Sequence, residues 1–111
     1  MDLRSYYELR GSETPLTEDL PPLAYDGERR RRTAVVAFAS PRPGDHVLDV
    51  GCGDGFLLDA IAASEATVAG VEISAVRLAQ ARTRLAGLRP PVALEIADAA
   101  DLPFPSATFS L

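Results

Sequence analysis

The 111-residue sequence has a single cysteine, Cys52, and no lysine, since all eleven of its basic residues are arginine. One cysteine excludes an internal disulfide and any metal site built on paired cysteines, and we expect no metal. The lack of lysine excludes the phosphate-binding P-loop and Schiff-base chemistry, both of which need that side chain. No apolar run approaches the roughly 20 residues that cross a bilayer, so no membrane segment is expected.

Charge and the amino-terminal residues exclude further classes. A secretory signal peptide needs an apolar stretch of about 7 to 15 residues, but charged residues interrupt the first positions of this chain. We therefore expect a cytoplasmic protein. The net charge of −5 offers no general basic surface, so a nucleic-acid partner is not expected.

The chain divides into two parts near residue 25. Residues 1–25 are polar and interrupted by glycine and proline, and we interpret them as a loosely structured lead-in or as a lid. Residues 26–111 form the second part, which begins with a helix at Asp26-Gly27 that ends before Pro41.

Extended and helical patterns alternate after that helix. Strands are predicted at 46–50, 67–73 and 92–96, with helices at 56–64 and from Ser74 to Gly87, and a fourth strand begins at 108. Strands joined by single helices form right-handed βαβ units. The sequence therefore predicts an α/β fold, a Rossmann-like parallel sheet with helices on both faces.

A glycine-rich segment separates the first strand from the next helix. Gly51, Gly53 and Gly55 occupy alternate positions, where a missing Cβ lets the chain turn sharply and lets backbone N–H groups approach a ligand. The alternative is an ordinary glycine-rich turn. A dinucleotide fingerprint would need its third glycine at the position of Phe56, so a nicotinamide-dependent oxidoreductase is disfavoured.

The sequence resembles class I S-adenosylmethionine-dependent methyltransferases over residues 41–111. The run LDVGCGDG, which starts at Leu48, is similar to the family's first motif, an acidic residue followed by an apolar residue and G-x-G-x-G. Glu72 in VEIS matches the acidic residue at the end of strand two, and Asp98 in IADA matches the third motif. The Leu102-Pro103-Phe104 segment that follows is common in the small-molecule branch of the family.

This resemblance implies the cofactor S-adenosylmethionine and a small-molecule methyl acceptor. Glu72 would accept hydrogen bonds from the ribose hydroxyls, and Asp98 from the adenine amino group, unless Asp98 only caps its loop and Glu72 is only a solvated strand end. Asp49 would be oriented toward the cofactor's ammonium group. The implied cofactor-binding set is Asp49, Gly51, Cys52, Gly53, Glu72, Ile73, Asp98 and Ala99, and no catalytic residue is identified.

Several other residues have weaker functional interpretations. His46 is expected at a surface or turn position, and the thiol of Cys52 is not expected to act. The run Arg29–Arg32 favours a solvated helix face, although one arginine could reach the cofactor's carboxylate. Tyr6, Tyr7 and Tyr25 could belong to a lid.

The resemblance implies a seven-stranded sheet in which strand one pairs with strand four. Because the chain ends at Leu111, we expect the N-terminal half of a methyltransferase domain that is inactive alone and self-associates through the exposed edge of strand one. The alternative is a noncatalytic module that pairs with another chain. Phe109-Ser110-Leu111 also departs from the family's usual Phe-Asp-Leu.

Overall fold

The computed structural model describes residues 2–104 and 108–110. The fourth strand predicted from residue 108 lies partly outside them, at Leu111, and residues 108–110 are not assigned to a strand. The elements follow one another as α1 (Leu3–Glu13), a 3₁₀ turn (Thr17–Asp19), α2 (Pro22–Ala39), β1 (His46–Val50), α3 (Phe56–Ala62), β2 (Thr67–Glu72), α4 (Ala75–Leu85) and β3 (Ala93–Ile96).

Three parallel strands form the sheet, in the order β1-β2-β3. In the register, Val47 lies opposite Val68 and Asp49 opposite Gly70, while Gly70 is in turn opposite Leu94. The predicted α/β fold with a parallel sheet is therefore confirmed. Ser110 lies beyond the other edge of β1, where its N–H donates to the His46 carbonyl at 2.8 Å.

The helices that connect the strands pack together as well as on the sheet. α3 and α4 contact each other and both contact β2, so they lie on the same face. The physical reason is that two successive right-handed crossovers that proceed in one direction across a sheet leave their helices on one side. The prediction of helices on both faces stays a prediction for the second face.

The core lies between β1, β2 and this helix layer. One buried side chain comes from each of β1 and β2, and the helices contribute residues at three- and four-residue spacing, as expected for the buried face of a helix. The buried residues include Val47, Val68, Leu58, Ile61, Leu78, Ala81 and Leu85. Burying each large aliphatic side chain contributes about 1.5–3 kcal/mol.

Within residues 2–25, the chain is helical from Leu3 to Glu13 and again from Pro22, so the prediction of a loosely structured segment is wrong there. α1 begins at the N-cap Asp2, whose carboxylate accepts from Ser5 N–H at 2.7 Å. Gly11, one of the glycines and prolines expected to interrupt this segment, lies inside α1, where an added Cβ would clash with Ser74 Oγ. The glycine thus permits close packing of α1 on α4.

The second helix also begins earlier than predicted, at Pro22 instead of Asp26. Pro22 occupies the first helical turn, where its missing N–H would have no helical partner in any case. Later boundaries agree better with the predictions. Ser74 is the N-cap of α4, and its hydroxyl accepts from Arg77 N–H at 3.2 Å.

Candidate functional site

The glycine loop lies at the carboxyl ends of β1 and β2, where ligands bind in open α/β sheets. Gly51, Gly53 and Gly55 all have positive φ, at 76°, 56° and 81°, a conformation that L side chains rarely adopt. The N–H groups of Gly51 and Cys52 both donate to the Val71 carbonyl, at 2.8 and 3.0 Å. The loop is therefore held against β2.

Two of these glycines differ in what surrounds them. A Cβ on Gly55 would stand 3.1 Å from Leu85 and 3.3 Å from Ala81, so Gly55 permits close packing on α4. A Cβ on Gly51 would meet no atom within 4 Å. Gly51 therefore presents bare backbone to open space, as a ligand cradle requires.

Asp49 projects from β1 beside this loop. Its carboxylate is partly buried and accepts no hydrogen bond from the residues that the structure describes. Burial raises the pKa of Asp49 to about 6, the positive charge of Arg31 opposes that rise, and the negative charge of Glu72 adds to it. Such a carboxylate is suited to receive a cation.

Glu72 ends β2 and connects the loop to the next helix. One carboxylate oxygen accepts from Gly53 N–H at 3.1 Å, and the other accepts from Ser74 N–H at 2.7 Å. Each oxygen keeps a further lone pair for a ligand hydroxyl. Glu72 is thus more than a solvated strand end.

Two cavities meet at Val50 and Gly51. The first, of about 220 Å³, lies between the glycine loop and α2; the second, of about 500 Å³, lies between the ends of β2 and β3 and helix α1. Predicted residues that line the first cavity are Asp49, Gly51, Cys52 and Gly53. Those that line the second are Gly51, Glu72, Ile73, Asp98 and Ala99. The fold thus brings the whole predicted set together around two adjoining spaces.

Cys52 contributes its backbone to the loop while its side chain lies in the core. A Cβ on Gly70 would stand 2.9 Å from Cys52 Sγ, so the sulfur fills the space over β2. Burial, with the negative charges of Asp49 and Glu72 adding to it, raises the pKa of the thiol to about 12. The neutral thiol is a poor nucleophile.

Asp98 makes a loop-capping contact and also lines the second cavity. Its Oδ1 accepts from Ala100 N–H at 2.9 Å, and its carbonyl accepts from Asp101 N–H at 3.0 Å. The Asx turn offered as the alternative interpretation is therefore present. Asp98 nevertheless lines the second cavity, so the turn does not remove the residue from it.

The arginine run divides into two pairs. Arg29 and Arg30 form exposed ion pairs with Asp26, whereas Arg31 and Arg32 line the first cavity. Arg32 also lies over the ring of Phe56, 3.8 Å from its centroid. Arg31 is nevertheless 70% exposed and lies 3.4 Å from Glu28, so a solvated face is the correct interpretation for three of the four arginines, and only Arg32 is half-buried.

The three tyrosines and His46 occupy different regions. Tyr7, with Leu3, lines the second cavity, while Tyr25 packs edge-to-face on Phe56 with ring centroids 6.0 Å apart and Tyr6 is half exposed. His46 is exposed at the start of β1, at the strand end opposite to the glycine loop. Its predicted surface position is confirmed.

Sequence reasoning missed the buried carboxylate of Asp54 and its partners Thr17, Arg77 and Arg84. The only available signal was an acidic residue between Gly53 and Gly55. Its partners lie 37 residues before it and about 20–30 residues after it, so no local pattern connects them.

Within the described ranges, no cluster of side chains suited to a metal ion is found, and no helix is both long and apolar enough to cross a bilayer.

Comparison with known proteins gives a consistent set of matches. A family described as "Methyltransferase domain" matches residues 47–111. The chain is 47% identical to demethylmenaquinone methyltransferase of Symbiobacterium thermophilum over 79 residues, which cover 67% of this chain and 32% of that protein. The chain spans about a third of the length of the curated relatives it matches.

Solved structures share the fold. The [4+2]-cyclase SpnF superposes with a TM-score of 0.67 at 28% identity, covering 86% of this chain and 35% of that one. A SAM-dependent methyltransferase from Geobacter sulfurreducens, in complex with S-adenosyl-L-homocysteine, superposes with a TM-score of 0.61 at 25% identity, covering 88% and 38%. The fold thus has counterparts in solved proteins.

Proposed function

From the premise that the chain belongs to the methyltransferase domain family, we propose that it forms the S-adenosylmethionine-binding part of a small-molecule methyltransferase. The observation that carries this proposal is the environment of Asp49. A partly buried carboxylate without a hydrogen-bond partner in the described chain faces the same cavity as Arg31 and the open backbone of Gly51. Opposite charges on two walls of one small space complement a zwitterionic amino-acid group, which is one end of this cofactor.

The first cavity is the proposed site of the methionine portion. Asp49 would receive the ammonium group, since a nearby cation removes the penalty that burial imposes on the carboxylate. Arg32 on α2 would supply positive charge for the carboxylate, as would Arg31, which also pairs with Glu28 in the same cavity wall. Gly51 and Gly53 supply a backbone surface that the ligand can approach closely.

The second cavity is the proposed site of the adenosine portion. Glu72 would accept from the ribose hydroxyls through the lone pairs that Gly53 and Ser74 leave unused. Ile73 contributes an apolar surface for the base, and Asp98 and Ala99 offer an acceptor and a backbone donor at the far wall. Val50 and Gly51 connect the two cavities, so one extended ligand can occupy both.

The bound cofactor supplies an electrophilic methyl group, and the protein's own contribution is alignment and exclusion of water. In the described residues this contribution comes from the two cavities and from the polar groups at their walls. We propose a small-molecule acceptor because the relative from Symbiobacterium thermophilum is named demethylmenaquinone methyltransferase. A cytoplasmic location and the absence of a nucleic-acid partner stay predictions.

The test compares two glycines with similar backbone conformation and open surroundings, of which only Gly51 lies in the proposed site. Gly51 and Gly44 both have positive φ, at 76° and 92°, and a Cβ on either would meet no atom within 4 Å. Changing each to alanine therefore imposes a similar backbone cost of about 1–2 kcal/mol. We expect Gly51→Ala to weaken S-adenosylhomocysteine binding at least tenfold in a calorimetric titration, while Gly44→Ala leaves the affinity unchanged.

Binding of NAD, and separate assays of cofactor binding and methyl transfer, show which results would contradict the proposal. NAD should not bind, because Phe56 replaces the third glycine of the dinucleotide fingerprint. Equal binding of NAD, or equal effects of the two glycine substitutions, would overturn the assignment. Since one solved neighbour is named a cyclase, cofactor binding and methyl transfer are measured separately.

A further inference from the structure

Asp54 is a buried carboxylate that the proposed cofactor contacts do not use. Only 3% of it is exposed, and it lies between two glycines of the loop. Its Oδ2 accepts from both the N–H and the hydroxyl of Thr17, each at 2.8 Å. Its Oδ1 accepts from Phe56 N–H at 3.3 Å, at the start of α3.

Two arginines of α4 extend this contact into a network. Arg84 lies 3.2 Å from Asp54 Oδ2 and forms two hydrogen bonds of 2.8 Å with the carboxylate of Glu18. Arg77 lies 3.8 Å from Asp54 Oδ2 and donates to the Pro15 carbonyl at 3.1 Å. The segment around residues 14–18 is therefore attached to the glycine loop through one carboxylate.

That segment connects to walls of both cavities. Thr17 itself lines the first cavity, while Leu3 and Tyr7 on α1 line the second. α1 is held in turn by Glu8, whose carboxylate accepts from Ala75 N–H and lies 3.5 Å from Ser74 Oγ. The glycine loop forms one side of the site, and this amino-terminal segment contributes to the opposite side together with α2.

The network is better suited to positioning than to general stabilisation. Burial opposes ionisation of Asp54, but the hydrogen bonds from Thr17 and the charges of Arg77 and Arg84 outweigh it and lower the pKa. The group is therefore charged at neutral pH. A buried ion pair contributes little net stability compared with apolar packing, although removal of one partner is costly.

We propose that Asp54 is a positioning residue, which locks the amino-terminal wall of the site to the glycine loop and thereby slows release of the bound cofactor. This inference rests on the proposed function for the identity of the ligand. The lock itself is the contact between Asp54 and Thr17. It acts through the loop and the wall, since neither side chain is among the proposed cofactor contacts.

The test substitutes Thr17 in the full chain. Thr17→Val keeps the shape and the backbone donor but removes the hydroxyl donor, whereas Thr17→Ser keeps the hydroxyl and should restore the wild-type behaviour. Thr83→Val is the matched control, because the exposed Thr83 hydroxyl donates only to Ala79 of its own helix. We expect Thr17→Val to raise the dissociation rate of S-adenosylhomocysteine about tenfold, the effect of losing one hydrogen bond to a charged group.

Hydrogen exchange of the ligand-free protein supplies a second measurement. Thr17→Val should raise exchange in residues 14–20 and also in the loop at 51–55, while β2 is unaffected. The proposal is contradicted if Thr17→Val leaves the dissociation rate unchanged, or if it speeds hydrogen exchange only in residues 14–20. If wild-type protein fails to bind S-adenosylhomocysteine, the proposed function fails instead, and the exchange of the loop still decides whether the two walls are coupled.

Discussion

Asp49 is a residue at which stability and ligand binding oppose each other. Its pKa is raised from 3.8 to about 6, first by burial. Because the folded state binds the proton more tightly than the unfolded state, this group makes the protein less stable as pH rises from about 4 to about 6. Above that window the cost is constant, at most about 3 kcal/mol.

We therefore predict that Asp49→Asn raises the free energy of unfolding at pH 7, by about 1–3 kcal/mol, and weakens cofactor binding. The variant should also lose the part of the pH dependence that lies between pH 4 and 6. Urea denaturation across this range, with the exposed Asp101→Asn as control, measures both effects. A variant that is less stable at pH 7 would show that the carboxylate is stabilised by contacts that the cavity does not reveal.

The placement of helix α1 against α4 depends on a single glycine. Gly11 allows α1 to approach Ser74 and Arg77, since a Cβ would stand 2.3 Å from Ser74 Oγ and 3.1 Å from Arg77 Cγ. Gly27 in α2, in contrast, has open space around the position of a Cβ. The two helical glycines thus form a natural comparison.

We predict that Gly11→Ala lowers the free energy of unfolding by about 1–3 kcal/mol, the usual cost of overpacking, and loosens α1. Gly27→Ala should instead raise it by up to about 1 kcal/mol, because alanine is the better helix former. Chemical denaturation gives the free energies, and proteolysis of the first 20 residues reports the loosening. Stabilisation by both substitutions would mean that α1 does not pack closely on α4.

The edge of β1 opposite β2 has few backbone partners among the described residues, and this affects how the whole molecule associates. β1 pairs with β2 on one side, and on its other side Ser110 bonds only to His46 among the described residues. Unpaired backbone groups at a strand edge promote association with another chain. Val47, Leu48 and Val50 provide neither charge nor proline to oppose it.

We predict that the 111-residue chain self-associates through this edge. Size-exclusion chromatography with light scattering should show species larger than the monomer, with a fraction that rises with protein concentration. Hydrogen exchange at residues 47–50 should slow as association increases. A monomer with strongly protected amides at these positions would contradict the prediction and would indicate that another part of the molecule covers β1.

Local pattern was sufficient for much of the fold because each feature is encoded within a few neighbouring residues. The apolar run of β1, the glycines that follow it and the N-cap Ser74 all predict their structure directly. The same locality explains why the cofactor-binding set could be proposed, since each member lies at or just after the carboxyl end of a recognisable strand. Binding by those residues stays a prediction.

Only the tertiary structure decided how the amino-terminal segment is used. By local pattern, Gly11 and Pro22 each predict an interruption of helical structure. In the fold, Gly11 lies within α1 because it allows close packing on Ser74, and Pro22 is compatible with α2 because it occupies the first helical turn. The Asp54–Thr17 contact spans 37 positions of sequence, and such a contact leaves no periodic signal. The sequence by itself therefore determined the strands, the glycine loop and its acidic neighbours, whereas long-range packing and charge pairing determined which wall encloses them.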